Sequence, residues 1–184
     1  MEIKHQGFNI IILVLSAITL AYILISLTTI LTFLDPLSVM ESLTRRQVWD
    51  AFILSLITAT ISTAILSFFG IPLAYFLARY SNFRGKFILR VIIIIPLVLP
   101  PLASGALLLG LFGPTSLIIQ AFPEVEFTQS MLGIITAQTY VASPFMILVS
   151  QAAFESVDKS YESIARVLGK NNLQTFFRVS LPLA

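Results

Sequence analysis

The residues able to do chemistry in this chain are few, and their placement excludes most reactions. There is no cysteine, which removes thiolate nucleophiles, thiolate metal sites and disulfides. The only histidine, His5, precedes the first apolar run, so neither a His-based triad nor a His-rich zinc site can be assembled. Three of the four long apolar runs contain no Asp, Glu, Lys or Arg. The third contains Arg90 alone, near its start, where a long stem reaches the headgroups. Proton-coupled carriers, voltage sensors and intramembrane proteases of the aspartyl or metal type need ionisable groups at bilayer depth, and the sequence supplies none there. The residues therefore offer no catalytic set, no metal site and no cofactor site. That pattern favours a conduit or scaffold whose energy comes from elsewhere.

Three sets of uncharged groups remain. In the second apolar run Ser55, Thr58 and Ser62 lie near one face at helical spacing. They read as close helix packing with local hydroxyl–backbone bonds, ahead of a weakly polar pathway lining. In the third run Pro96 and Pro100 stand four apart, followed by Pro101, Ser104 and Gly105. Each proline deletes a backbone donor, so the helix must kink or unwind near mid-span. Lipid tolerates this only against protein or a wet cavity. A discontinuous helix beside a translocation path and a kink that shapes the bundle are equally good readings. In the fourth run Gln138, Thr139 and Ser143 can line a path for a hydrophilic solute, although interhelical bonding is the plainer role for any one of them.

Membrane helices must position these groups. The chain has 184 residues, 57% hydrophobic and only 11% charged, whereas a soluble domain runs near 25% charged. Its mean hydropathy is +0.95. Four runs exceed the ~20 residues that cross a bilayer core as a helix: Phe8–Leu34, Ala51–Ala78, Phe87–Phe112 and Met131–Phe154. Helices are the only sensible form, because open apolar strands would leave backbone groups unpaired in lipid. The first run is too long for a signal-peptide core of about 7–15 residues, and is read as an uncleaved span. Of the eleven Lys and Arg, nine fall on the side of the N-terminus, the second loop and the tail. Only Arg45 and Arg46 fall on the other side. That bias predicts a cytoplasmic N-terminus and tail in the cell membrane. Pro36–Asp50 is expected to be a short polar loop. Gly113–Ser130, with Leu117-Ile118-Ile119 between Pro114 and Pro123, is expected to hold a brief interfacial helix. The fold class is an all-α, multi-pass helical bundle forming a single transmembrane domain over residues 1–184. The net charge of +2 is too small to suggest nucleic-acid binding.

After the fourth span, residues 155–182 turn polar and amphipathic. Tyr161, Ile164, Ala165 and Leu168 share one helical face, with Lys159, Glu162 and Arg166 largely elsewhere. Gly169 is a natural terminator, since a left-handed residue there meets no Cβ penalty. Asn171-Asn172 suits a turn or the cap of a second short helix. That helix would show Leu173, Phe176 and Phe177 before Leu181-Pro182. Such a unit suits a protruding docking knob, with an amphipathic helix resting on the membrane surface as the competing reading.

Ser163-Ile164-Ala165-Arg166-Val167-Leu168-Gly169, then nine residues, then Val179-Ser180-Leu181-Pro182, resembles the Glu-Ala-Ala–Gly–Ile-x-Leu-Pro loop of the membrane subunits of ABC importers. The alanines fall on Ile164 and Ala165, the glycine on Gly169 and the Leu-Pro on Leu181-Pro182. The glutamate falls on Ser163, with Glu162 one place earlier. Within that family, Pro96-Leu97-Val98-Leu99-Pro100-Pro101 with Gly105, Leu108 and Phe112-Gly113, and the stretch Ala137 to Phe145, resemble the molybdate, tungstate and sulfate permeases.

The resemblance implies a type I ABC importer fold. It implies two permease subunits, usually identical, on two cytoplasmic ATPase subunits, with an external solute-binding protein delivering a molybdate- or tungstate-like oxyanion. Tyr161, Glu162, Ser163, Ala165, Gly169, Asn171, Leu173, Phe176, Phe177, Leu181 and Pro182 would form the ATPase-coupling element. Pro96, Pro100, Pro101, Ser104, Gly105, Thr139 and Ser143 are the candidates for a translocation path. No Gly-x-x-x-x-Gly-Lys-Ser/Thr phosphate loop is present, so ATP hydrolysis is assigned to the partner. Family members continue with further spans after the Leu-Pro, so a truncated product or fragment lacking part of the path and gate is expected. A permease for sulfate, thiamine or ferric iron, or a non-transport membrane scaffold, are the alternatives.

Overall fold

The computed structural model describes residues 2–33, 35–80 and 83–184; Leu34, the expected end of the first span, lies outside them. The described residues are all-α, with no strand. Four stretches are long and apolar enough to cross a membrane: Asn9–Thr29, Arg46–Arg79, Pro101–Ala121 and Met131–Ser156. The chain divides into two compact units, residues 1–52 and 53–184.

The first unit contains α1 (Glu2–Thr32), α2 (Pro36–Thr44) and the opening turns of α3 (Arg46–Arg79). The hydroxyls of α1 turn back on the helix: Thr19, Ser26 and Thr29 donate to carbonyls four residues earlier at 2.8–3.0 Å. This is how a hydroxyl is satisfied on a helix surrounded by apolar groups. Pro36–Asp50, expected as a loop, is helical through most of its length. The reason is local. Asp35 accepts from the backbone N–H of Leu37 and Ser38 and from the Ser38 hydroxyl, and Pro36 supplies a pre-set φ at the first helical position. The same Asp-Pro pair that ends α1 opens α2. Those contacts hold the Asp35 carboxyl below its usual value, the Ser38 hydroxyl contributing most.

In the second unit, α3 is followed by α4 (Lys86–Val98), α5 (Pro101–Phe112), the short α6 (Leu117–Ala121) and α7 (Met131–Ser156). The expected helix in the Gly113–Ser130 segment is α6, capped by the Ser116 hydroxyl. The buried residues of α3 recur every fourth position: Thr58, Ser62, Leu66, Gly70, Ala74 and Ala78. Small residues at this spacing let helix backbones approach closely in a membrane. At Gly70 an added Cβ would stand 3.5 Å from Met146 and 3.6 Å from Ile147 of α7. Ser62 donates to the Ile135 carbonyl (3.2 Å) and to Gln138 (3.0 Å), and Gln138 donates to Thr58 (3.3 Å). Thr58, Ser62 and Gln138 are therefore joined by interhelical bonds between α3 and α7, whereas the Ser55 carbonyl accepts from the Thr58 hydroxyl within α3.

The expected third span, Phe87–Phe112, is divided. Leu99 (φ −67°, ψ 132°) and Pro100 (φ −55°, ψ 146°) are extended. Each precedes a proline, whose ring disfavours helical geometry in the residue before it. Pro96 stays inside α4, so the unwinding falls at Leu99-Pro100 and not four residues earlier. At 1.5 Å per residue neither half reaches the ~30 Å of a bilayer core. The stretch of spanning length instead starts at Pro101 and continues to the end of α6. The apolar core, Ala74, Leu77, Ala78, Ile93, Ile147 and Phe154, gathers at the Arg79 end of α3. It is there that the tail docks.

Candidate functional site

The tail is built by successive caps. After α7 the chain extends through Val157, and Asp158 opens α8 (Lys159–Val167) by accepting from the Ser160 N–H at 2.8 Å. At the far end Gly169 adopts φ +81°. Its N–H donates to the Arg166 carbonyl and that of Lys170 to the Ala165 carbonyl, both at 3.0 Å, the paired bonds of a Schellman ending. Asn171 then caps α9 (Asn172–Thr175) in a reciprocal pair with Gln174: the Gln174 N–H donates to Asn171 at 2.8 Å and the Asn171 N–H to Gln174 at 3.3 Å. The chain widens into a π-helical turn, Phe176–Ser180, before α10 (Leu181–Leu183). Pro182 accounts for the widening, since it has no N–H and its ring crowds the carbonyl four residues back in an α-helical register.

The faces of α8 are the reverse of simple amphipathic packing. Tyr161, Ile164, Val167 and Leu168 are exposed, while Glu162 is 5% and Ala165 6% exposed. The apolar face anticipated from sequence is split, with only Ala165 turned inward. Leu173 and Phe177 are exposed beyond it. Phe176 departs from the expected knob: it is half-buried, its ring 4.9 Å from that of Tyr75 and 6.1 Å from that of Phe154. Ser163, Gly169, Asn171 and Pro182 are exposed, and Leu181 is half-buried.

The buried Glu162 is held by residues that the charge pattern did not single out. Arg79 Nε donates to Glu162 Oε1 at 2.6 Å, and both side chains are 7% exposed. The Ser180 hydroxyl donates to the same oxygen at 2.8 Å and the Tyr75 hydroxyl to Oε2 at 3.2 Å. Arg79 also donates through Nη1 to the Val157 carbonyl at 3.1 Å and lies 5.9 Å above the Tyr75 ring. One signal was available: Tyr75 and Arg79 share a helical face, four apart at the end of a charge-free span.

At the helix break, Pro96, Pro101, Ser104 and Gly105 meet Phe145 in a cleft of about 390 Å³ between α4, α5 and α7. Pro100, Thr139 and Ser143 are not among its lining residues. Ser104 is 4% exposed. Ser143 donates to the Tyr140 carbonyl at 2.9 Å. Among the described residues no cluster of His, Cys, Asp or Glu is placed to hold a metal.

The profile described as "Binding-protein-dependent transport system inner membrane component" matches residues 70–184, from the middle of α3 through the whole tail. The chain is similar to a probable molybdenum ABC transporter permease protein of Haloferax volcanii, 40% identical over 94% of this chain and 63% of the relative. It is similar to the molybdate/tungstate transport system permease protein WtpB of Pyrococcus abyssi, 36% identical over 92% of this chain and 64% of the relative. It is also similar to the molybdenum transport system permease protein ModB of Escherichia coli, 34% identical over 73% of this chain and 60% of the relative. In each case the chain spans less than two thirds of the relative's length. With a match that covers residues 70–184, more than half of its length, the chain belongs to the binding-protein-dependent transport system inner membrane component family.

Proposed function

We propose that the chain acts as the permease subunit of an ATP-driven importer whose cargo is an oxyanion of the molybdate and tungstate class. An external binding protein delivers the anion. Cytoplasmic ATPase subunits dock on the tail, and a second, identical permease subunit completes the path. The chain itself binds no nucleotide. The N-terminus and residues 155–182 lie in the cytoplasm, as nine of the eleven Lys and Arg favour.

The observation that carries this reading is the face of the tail. Tyr161, Ile164, Val167, Leu168, Leu173 and Phe177 are exposed outside the spans, around a segment whose turns are fixed by caps at Asp158, Gly169 and Asn171. Exposed aromatic and aliphatic side chains on a rigid, capped segment fit a pocketed protein surface. An oxyanion cargo is physically acceptable on the proposed path. The divided third span has no cation at its break, so a divalent anion would pass without being trapped by a fixed charge.

The test is capture of the ATPase encoded beside this chain by the detergent-solubilised permease, with Gly169→Pro and Leu173→Asp alongside. Capture by the parent and loss in both variants is the expected result. Equal capture by all three would remove the tail as the docking element. Molybdate uptake by the reconstituted importer, competed by tungstate but not by sulfate, is expected for the cargo; sulfate competing equally would move the reading to a sulfate permease.

A further inference from the structure

We propose that Arg79 and Glu162 form a buried charge latch that makes the coupling segment and the end of α3 move as one body, with Tyr75 and Ser180 as its positioning residues. The proposal rests on the permease reading above. It assigns to Glu162 a role opposite to that of a surface contact.

The geometry carries it. Both oxygens of the Glu162 carboxylate are engaged inside the chain: Oε1 by Arg79 Nε (2.6 Å) and Ser180 (2.8 Å), Oε2 by Tyr75 (3.2 Å). With 5% of the residue exposed, no part of the carboxylate is presented to a docking partner. Arg79 reaches in the other direction as well, to the Val157 carbonyl at the junction of α7 and α8. One ion pair thus joins the last turn of α3, the α7–α8 corner, α8 and the π turn before Leu181-Pro182.

The rest of α8 has little else to hold it. Ala165 is its only other buried residue. The remaining ion pair near this end, Arg90 with Glu155, is long at 3.9 Å and nearly half exposed on both sides. An exposed pair of that kind contributes little, whereas removing one partner of a buried pair leaves an uncompensated charge and is strongly unfavourable. A push on the exposed face of α8 is therefore passed to the Arg79 end of α3. The widened turn at Phe176–Ser180 fits this role, since it places Ser180, fully buried, against the carboxylate.

The experiment uses the assembled importer in proteoliposomes with its binding protein and molybdate, reading anion delivered per ATP hydrolysed. Glu162→Gln keeps the shape and removes the charge; Arg79→Gln removes the charge on the other side with a shorter side chain. Each is expected to lower the delivered-to-hydrolysed ratio about tenfold, within the usual range of coupling free energies, while ATP hydrolysis continues. The double variant is expected to be no worse than either single variant, because both remove the same pair. The ratio is taken only on complexes purified as assembled particles, so variants that fail to fold and assemble do not enter it. If the charge variants do not assemble, Tyr75→Phe and Ser180→Ala each delete one bond and leave the pair, and a smaller fall in the ratio is expected from both. A parental ratio in every variant that assembles, or additive losses in the double variant, would overturn the latch. Absence of ATP-driven uptake by the parent would instead bring down the permease reading, and the latch with it.

Discussion

At the scale of single residues, Glu162 shows one carboxylate outweighing a helix's periodicity. Tyr161, Ile164 and Leu168 recur at the spacing that ordinarily marks an inward face, yet they are exposed and Glu162 is buried. Burial of a carboxylate is tolerable only with charge and hydrogen bonds supplied around it, and Arg79, Tyr75 and Ser180 supply both. Those donors are distant in sequence, so no local pattern around residue 162 announces them. Gly169 is decided locally instead. At φ +81° a Cβ would meet nothing within 4 Å, so the penalty for a side chain is conformational alone. Gly169→Ala is expected to weaken the turn by about 1 kcal/mol, with Gly169→Asn milder because Asn visits the left-handed region more readily. Hydrogen exchange at the Lys170 amide, which is bonded to Ala165, checks it. Protection should fall in the order Gly, Asn, Ala; equal protection in all three would mean that residue 169 does not hold the left-handed turn.

At the scale of elements, the N-terminal end of α8 responds to pH through Asp158. Its carboxyl is held below the usual value of 3.8 by the Ser160 N–H first and the Ser160 hydroxyl second. A lowered folded-state value means that the cap's contribution is complete above the unfolded value and is lost as pH falls through the folded one. Fraying of the first turn of α8 is therefore expected on acidification below about pH 4, read as lost hydrogen-exchange protection at the Ser160 amide, which donates to Asp158, in nanodiscs. In Asp158→Asn, which caps without titrating, the pH dependence of protection at that amide should be smaller than in the parent. Equal pH dependence in the parent and the variant would remove the cap as its cause. Other elements were legible to different degrees. The Met131–Ser156 helix lies within two residues of expectation because an uninterrupted apolar run follows a capping serine. The division of the third span was visible in Pro96, Pro100 and Pro101, although the position of the break depends on two consecutive pre-proline residues. Of the seam of α3, Thr58 and Ser62 are legible in the sequence and the remainder is not. In a helix apolar on every side, the packed face is marked by small size and not by hydrophobicity, so Gly70, Ala74 and Ala78 give no amphipathic signal. The helix Pro36–Thr44 was missed because a pair that stops one helix also starts the next.

At the scale of the whole molecule, the proposed direction in which the chain threads the membrane rests on the distribution of Lys and Arg. With four crossings, nine would lie on one side and two on the other. The orientation rule counts these residues close to the span ends and gives acidic residues little weight. The ion pairs leave the direction of the bias unchanged. If Arg79 is discounted because Glu162 buries it, eight remain against two. Arg45 and Arg46, the opposing two, are themselves paired with Glu41 and Asp50. Because the chain has no cysteine, a single introduced thiol reports its side of the membrane without background. Thr128 and Ser163 are both exposed, one before α7 and one after it. Thr128→Cys is expected to react with a membrane-impermeant maleimide on intact cells, and Ser163→Cys only in inverted vesicles. Since α7 crosses once between them, the two positions must report opposite sides. Labelling of both from the same side would mean that Met131–Ser156 does not span. Labelling with the sides exchanged would place the coupling segment away from ATP, and no importer mechanism could then act through it.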